Sequence, residues 1–496
     1  PASTPGVREN PNSPGLWEYM GNRDWVDYFL DDNSFSQDHN LSISGRSKNA
    51  NYYLSGGYNR FNGALRLADD FFDRFSVRGK VNFDVNDWLT IGNNTFLSST
   101  LQRRPSQFSI WNIFNMDPVS FDRNPDGTWA NSEVGIEAAR LTDGGESESR
   151  YNSYQSTFSA EVRLIPNVLR VNSEFTMRRG TTNWDWFTTK YLVGYGPNDV
   201  RETGTNRAYR DATFDRYDVL NVYATFDQRI GADHHFTVIG GYNQEFFRTE
   251  RFWADREGLI SASIPSIALA TGEDEVGEFI ADWAVRGIFG RINYIFRDKY
   301  ILEFNGRYDG SSRFPEENRY GFFPAASAAW RVDKEPFFNS GLVSHLKLRA
   351  SYGALGNQAV GNYGYIPSMS AQPGRYIIGG ELPQRITPPA LVSSNYTWED
   401  VSTLNFGIDL GLFQDRLFVN FDIYQRNTDG MLTLGKDLPD VLGAAEPLEN
   451  AADLETKGWD LSLEYRNSVP VFGKPMGFNI RGVLSDSRSF ITRFDN

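Results

Sequence analysis

The sequence predicts an all-β fold, a transmembrane antiparallel β-barrel wall of about 16 strands. Three observations predict it. Apolar and polar residues alternate with period two in segments of roughly ten residues, repeated from end to end. The polar face of these segments carries formal charge in mid-strand, as a water-filled or plugged lumen allows. Aromatic residues make up 15% of the chain and gather at strand ends (Trp88, Tyr300, Trp330, Trp459), as girdles at a lipid–water boundary require.

The alternation is explicit along the chain. Over 75–84, Phe75, Val77, Val81 and Phe83 oppose Ser76, Arg78, Lys80, Asn82 and Asp84. Over 300–308, Tyr300, Leu302, Phe304, Gly306 and Tyr308 oppose Ile301, Glu303, Asn305 and Arg307. Leu346, Leu348, Ala350 and Tyr352 then oppose Lys347, Arg349 and Ser351. Leu417, Val419, Phe421 and Ile423 oppose Phe418, Asn420, Asp422 and Tyr424. Trp459, Leu461, Leu463 and Tyr465 oppose Asp460, Ser462, Glu464 and Arg466.

Strand starts are read near 38, 51, 73, 88, 154, 168, 218, 235, 284, 300, 320, 345, 402, 416, 457 and 476. Short links at 46–50, 86–87, 166–167, 231–234, 297–299, 413–415 and 469–474, with a middling one at 333–344, alternate with long ones. The long ones fall near 102–152, 181–217, 249–280 and 357–400. Outer-membrane barrels have short periplasmic turns and long extracellular loops, so the short set faces the periplasm. Both ends of the sequence then fall on the extracellular side, with residues 1–37 an extracellular segment and 38–489 a partial barrel. A barrel of this kind starts and ends at the periplasmic face, so a strand or more is expected beyond each end.

Composition narrows the function classes. A net charge of −14 argues against a nucleic-acid partner, which leaves a basic footprint. With no cysteine there is no disulfide framework, thiolate metal site or cysteine nucleophile. His234 and His235 are adjacent, so on a strand they point to opposite faces and are poorly placed to share a metal. No run of about 18 apolar residues occurs, and residues 1–5 read as loop with no secretory signal. No glycine-rich phosphate loop, nucleophile elbow or HExxH motif occurs, and paired carboxylates on the polar face need no catalytic explanation. The chain reads as a non-enzyme.

Several segments carry a family resemblance. Asp38-His39-Asn40-Leu41-Ser42-Ile43-Ser44-Gly45 followed by Asn51-Tyr52-Tyr53-Leu54-Ser55 is one. Tyr300-Ile301-Leu302-Glu303 through Tyr308-Asp309-Gly310-Ser311-Ser312-Arg313-Phe314 is a second, followed by Arg319-Tyr320-Gly321-Phe322-Phe323-Pro324. Ala329-Trp330-Arg331-Val332, Leu346-Lys347-Leu348-Arg349 with Gly356-Asn357-Gln358, Thr397-Trp398-Glu399 and Lys457-Gly458-Trp459 complete the set. In order and spacing over nearly the whole chain these resemble the SusC/RagA family of TonB-linked outer-membrane transporters. The resemblance implies a 22-strand barrel, with about five further strands after residue 496 and one before residue 1. It also implies a plug domain and TonB box, neither of which is in this sequence. The implied activity is TonB-dependent import of a nutrient oligomer, a glycan in preference to a peptide. The implied partners are a SusD-like surface lipoprotein lid and the TonB–ExbB–ExbD complex acting through the plug. A dimer of such barrel–lid pairs is compatible with the resemblance, which leaves the oligomeric state open. In this frame the luminal Arg307, Lys347, Arg349 and Asp422 hold the plug.

Two groups are candidate binding residues. Trp184 and Trp186, in Trp184-Asp185-Trp186-Phe187, and Tyr363 and Tyr365 fall in the expected long loops. Flat rings beside carboxylates suit stacking on sugars; packing against other loops or a lid is the alternative. Asp122, Asn124, Asp126 and Gly127, with five residues between Gly127 and Glu133, fit a calcium-loop spacing. Pro125 is atypical there and no helical pattern flanks it; an Asx-type turn at a loop tip is the alternative. Two other functions fit the strands: a non-transport outer-membrane barrel, such as an adhesin or surface enzyme, and a soluble β-rich carbohydrate-binding protein.

Overall fold

A computed structural model describes residues 6–393 and 395–495, and sixteen of its strands join in one antiparallel sheet. The loop reading of residues 1–5 lies outside the described residues. The sheet opens with β1 (Ser36–Arg46), β2 (Ala50–Asn62), β3 (Phe71–Asp84) and β4 (Leu89–Pro105). Next come β5 (Glu146–Ile165), β6 (Leu169–Thr188), β7 (Arg207–Ile230) and β8 (His234–Glu257). β9 (Asp274–Phe296), β10 (Tyr300–Ser311), β11 (Tyr320–Arg331) and β12 (Val343–Asn357) follow. β13 (Glu399–Leu412), β14 (Leu417–Leu434), β15 (Leu448–Val471) and β16 (Lys474–Phe494) complete it. Each strand pairs with its neighbours in sequence, and β1 and β16 are not paired with each other.

Register turns the one-dimensional alternation into two surfaces. Phe236, Tyr294, Leu302, Ala328, Ala350, Phe406, Ile423 and Trp459 are consecutive cross-strand partners from β8 to β15. One residue along, the partners are Thr237, Asn293, Glu303, Ser327, Ser351, Asn405, Tyr424 and Gly458. Adjacent residues of a strand point to opposite faces, so the first row lies on one face of the wall and the second on the other. The first face is open hydrocarbon: Phe304 is 56% exposed, Ile423 53% and Ile288 64%. A wall with one such face and one hydroxyl, amide and charged face is the arrangement of a membrane barrel with a wet interior.

The links sort onto two edges. On one edge the turns are tight and left-handed: Arg297 and Asp298 both have φ near +52°, and Phe413, Gln414 and Asp415 lie at 56–62°. Consecutive positive-φ residues match the twist of the strands they join. At this edge the rings of Tyr300 and Trp330 stack at 6.4 Å and 8°. The Tyr300 hydroxyl (2.7 Å), Trp330 Nε1 (3.0 Å) and Lys299 Nζ (3.0 Å) all donate to Glu335 in the link that follows β11. Those three bonds hold its carboxyl down at about 2.

At the other edge several expected loops turn out to be strand. Between 181 and 217, β6 continues to Thr188 and β7 begins at Arg207; between 249 and 280, β8 continues to Glu257 and β9 begins at Asp274. About ten residues cross the apolar layer, while β7 and β8 each have 24. Beyond that layer both faces meet water, so the apolar alternation fades although the backbone ladder continues. Arg207-Ala208-Tyr209-Arg210-Asp211 shows this fading.

A small compact cap sits on the long-link edge. Its helices are α1 (Trp25–Phe29), α2 (Ile113 within Ile110–Phe114) and α3 (Glu133–Thr142). Their apolar faces and the short strand Tyr191–Gly196 bury Trp25, Phe29, Ile113, Trp129, Val134 and Val193. Part of the segment expected as a plain extracellular loop (residues 1–37) is therefore folded: Val7–Glu9 pairs with Trp17–Tyr19, and α1 joins the cap core.

The face assignment is directly testable. Phe304→Arg, mid-strand on the apolar face, puts a charge in the hydrocarbon and should destabilise the folded barrel by about 2–4 kcal/mol. Ser327→Arg on the opposite face lands beside Glu303, its register partner, and should be nearly neutral. Heat-modifiable gel mobility after refolding measures both; equal damage would contradict the assignment.

Candidate functional site

The polar face of the wall carries its own ion-pair networks. Arg349 lies across Gly407, with Asp409 at 2.9 Å and Asp422 at 2.9 Å. A Cβ on Gly407 would fall 2.5 Å from Asp422 Oδ1 and 2.6 Å from Arg349 Nη2. Glycine is therefore required there, because the guanidinium occupies the space of a side chain. Asn405 donates to Asp422 and Asn420 to Asp409, both at 2.9 Å. Arg307 makes two bonds of 2.9 Å to Asp309 across Gly287 and stacks on Phe289 at 5.3 Å. Of the four luminal residues singled out from sequence, Arg349 and Asp422 are joined, Arg307 is paired within the wall, and Lys347 has no ion pair among the described residues.

Trp184 and Trp186 stand on the same luminal face near the extracellular end of β6, in strand instead of the loop expected from sequence. Their register partners bring a cluster together. Trp186 stacks on Tyr209 of β7 at 5.2 Å and 12°, and Tyr209 stacks on Trp253 of β8 at 6.2 Å and 20°. Trp184 meets Tyr209 edge-on at 5.5 Å, and its Nε1 donates to Ser147 Oγ at 3.0 Å. Arg207 pairs with Asp255 through bonds of 2.9 and 2.7 Å beside this cluster. Trp184, Trp186, Ser147 and Arg207 line an open cavity of about 800 Å³ together with Phe61, Phe72, Gln102, Arg104 and Phe108 at the start of the cap-bearing loop.

The other candidates lie elsewhere. The Tyr363 hydroxyl donates to Asp282 Oδ1 and accepts from the Asp282 N–H, both at 2.9 Å, tying the 358–398 loop to β9. Tyr365 packs on the buried group Phe314, Phe323, Tyr396 and Trp398. Both tyrosines fasten a loop, and neither lines the cavity. His234 meets Tyr294 on the apolar face while His235 meets Asp227 on the luminal one.

The calcium-spaced residues fall in the cap. Asp122 accepts the Tyr28 hydroxyl at 2.7 Å, and burial beside this carboxylate pushes the phenol well above its usual range. The Asn124 amide donates to Thr128, Trp129 and Gly194, while its oxygen accepts from Tyr19. Asp126 caps the Thr128 N–H at 3.0 Å, with Gly127 at φ +87°. Glu133 opens α3, a helix the sequence pattern did not reveal. Among the described residues no group of three or more His, Cys, Asp or Glu side chains could hold a metal ion.

Sequence reasoning missed Tyr209, Trp253 and Arg104. Nothing local marks them, because only the register places residues 23, 67 and 82 positions from Trp186 on its surface. What did carry through was the pattern of the wall itself, and residues 98–490 match the family described as TonB dependent receptor-like, beta-barrel. The chain belongs to that family. TonB-dependent receptor SusC of Bacteroides thetaiotaomicron is 25% identical over 518 residues, covering 95% of this chain and 48% of its own length. A TonB-dependent receptor of Formosa agariphila is 27% identical over 467 residues, covering 90% of this chain and 45% of its own length. Among solved structures, the RagAB peptide importer in its closed-closed state superposes with a TM-score of 0.83 at 20% identity, covering 97% of this chain and 53% of that one. The ferric citrate transporter FecA superposes at 0.54 with 11% identity, covering 98% and 64%. This TonB-dependent receptor barrel is thus of the SusC/RagA type read from the sequence, and its place is the outer membrane. It spans about half the length of the curated relatives it matches.

The shared contact at Gly407 gives the barrel wall a test. Arg349→Met and Gly407→Val should each destabilise the barrel by about 1–3 kcal/mol, the range for hydrogen bonds to charged groups. Because both remove one contact, the double variant should lose less than the sum. Urea midpoints of refolded protein measure this, and strict additivity would contradict the shared network.

Proposed function

We propose that the protein whose barrel wall this chain forms imports a nutrient oligomer, a glycan, across the outer membrane under the drive of TonB. A SusD-like lipoprotein delivers the cargo from outside and closes over the mouth. TonB–ExbB–ExbD acts from the periplasm on a plug seated in the barrel. The observation that carries the reading is the luminal aromatic cluster of Trp184, Trp186, Tyr209 and Trp253 at the extracellular mouth of a wall of this family.

Physical arguments support each part. A barrel of the 22-strand class is too wide for its wall side chains to fill and needs a plug. Flat indole and phenol faces flanked by Ser147, Gln102 and Arg207 offer stacking and hydrogen bonding to sugar rings and their hydroxyls. The cavity lies at the outer end of the wall beside the cap, where a surface lid would deliver cargo. The aromatic and hydroxyl-bearing lining favours a glycan, and similarity of fold to a peptide importer makes an oligopeptide the competing cargo.

The decisive comparison is uptake by cells carrying the complete gene product, with and without TonB. Uptake of a glycan oligomer should fall to background without TonB, and Trp186→Ala should reduce uptake about tenfold or more at limiting oligomer while leaving heat-modifiable barrel mobility intact. Uptake unchanged by loss of TonB would reduce the protein to a passive pore.

A further inference from the structure

The luminal face of β3 to β6, from mid-wall to the mouth, departs from the charge balance of the rest of the molecule. The luminal residues are the alternate positions in 72–80, 94–104, 147–157 and 176–188. They include five cations, Arg74, Arg78, Lys80, Arg104 and Arg178, and no Asp or Glu. None of the five has an ion pair among the described residues. Elsewhere on the lumen unpaired cations such as Lys347 and Arg426 stand singly, and others are matched: Arg207 by Asp255, Arg251 by Asp211, and Arg349 by Asp409 and Asp422.

An unmatched basic strip in a chain of net charge −14 calls for an anion from outside the wall. The cavity at the top of the strip has the same bias. Of its lining charges, Arg207 is neutralised by Asp255 and Arg103 is shared between Glu148 and Asp69. The one lining carboxylate, Asp70, is folded back onto its own loop, where it accepts from the Leu65 N–H and crowds Gly63. Arg104 is left exposed and unpaired in the cavity, in the register row that runs through Ser147 to Trp186. Lower down, Arg78 and Arg178 lie over the rings of Phe96 and Tyr217 at 4.9 and 5.1 Å. Guanidinium groups held on aromatic faces are preorganised for planar anions.

We propose that this sector recognises an acidic oligosaccharide, with sugar faces stacked on Trp184 and Trp186 and its anionic groups, carboxylates or sulfate esters, bound first by Arg104 and then by the cations beneath. The inference rests on the import reading and names its cargo class. Serine and threonine hydroxyls between the cations (Ser147, Ser149, Ser153, Thr182) suit sugar hydroxyls, which favours a glycan over an acidic peptide.

The test uses the complete gene product in outer-membrane vesicles with four probes of matched length: an oligogalacturonate hexamer, a sulfated galactan hexamer, maltohexaose and hexaglutamate. One or both anionic glycans should bind at least tenfold more tightly than maltohexaose, more weakly as salt rises. The pattern over the two identifies the anionic group. Arg104→Gln should weaken that binding about tenfold and Arg104→Lys should recover most of it. Maltohexaose binding as tightly as both anionic glycans, or tighter binding of hexaglutamate, would overturn the proposal. So would a double variant, Arg74→Gln with Arg104→Gln, that binds like the parent. TonB-dependent uptake of a neutral oligomer or peptide in those outcomes would leave the import reading standing, whereas no TonB-dependent uptake of any probe would remove both.

Discussion

Everything in this wall depends on register. Because side chains alternate across a strand, a slip of one residue between neighbours would carry an entire apolar row into the lumen and a polar row into lipid. Leu302 and Glu303 are adjacent in the chain yet belong to media of opposite polarity. The cross-strand rows through them hold over eight strands without interruption. Burial in the ordinary sense contributes little, since the large apolar side chains of the wall are exposed and find their partners in lipid. The tight left-handed turns at one edge and the glycines that admit ion-paired side chains at Gly287 and Gly407 serve the same constraint. They set where each strand begins and let charged groups pair across the luminal face.

Register also explains how the candidate site is made. Trp184 and Trp186 join a continuous aromatic surface only because β7 and β8 bring Tyr209 and Trp253 to the same height and face. The same ladder sets Arg104 in line with Trp186 through Ser147. Chemistry at the mouth is thus assembled from residues far apart in sequence, on rigid strands that continue well above the apolar layer. The cap, with its separate core around Trp25, Phe29 and Val134, borders this cavity through Leu65.

How much could be read from the sequence follows from the same physics. Where one face meets lipid and the other water, alternation is strong, and the strands around 75–84, 300–308 and 346–352 were legible with their phase. Above the membrane both faces are wet, so the extensions of β6, β7 and β8 looked like loop. The cap helices were hidden for a different reason: α1 and α2 have five residues each and α3 ten, too few turns for a clear helical period. The aromatic pair Trp184 and Trp186 could be singled out by composition, but its partners could not, because no local signal encodes register. Tyr363 and Tyr365 show the opposite case, in which loop aromatics with the right composition serve to fasten the loop.

Since this chain contains no cysteine, single cysteines placed at 302 through 308 in the complete protein, with any cysteine elsewhere in it replaced, report the two faces. The measurement is the reaction of each with a charged, membrane-impermeant maleimide and with a lipid-dissolved thiol probe. Positions 303, 305 and 307 should react with the charged reagent once the membrane is opened, while 302, 304 and 308 should react with the lipid-borne one. Labelling by the charged reagent at every position, without period two, would contradict a lipid-facing wall and the account built on it.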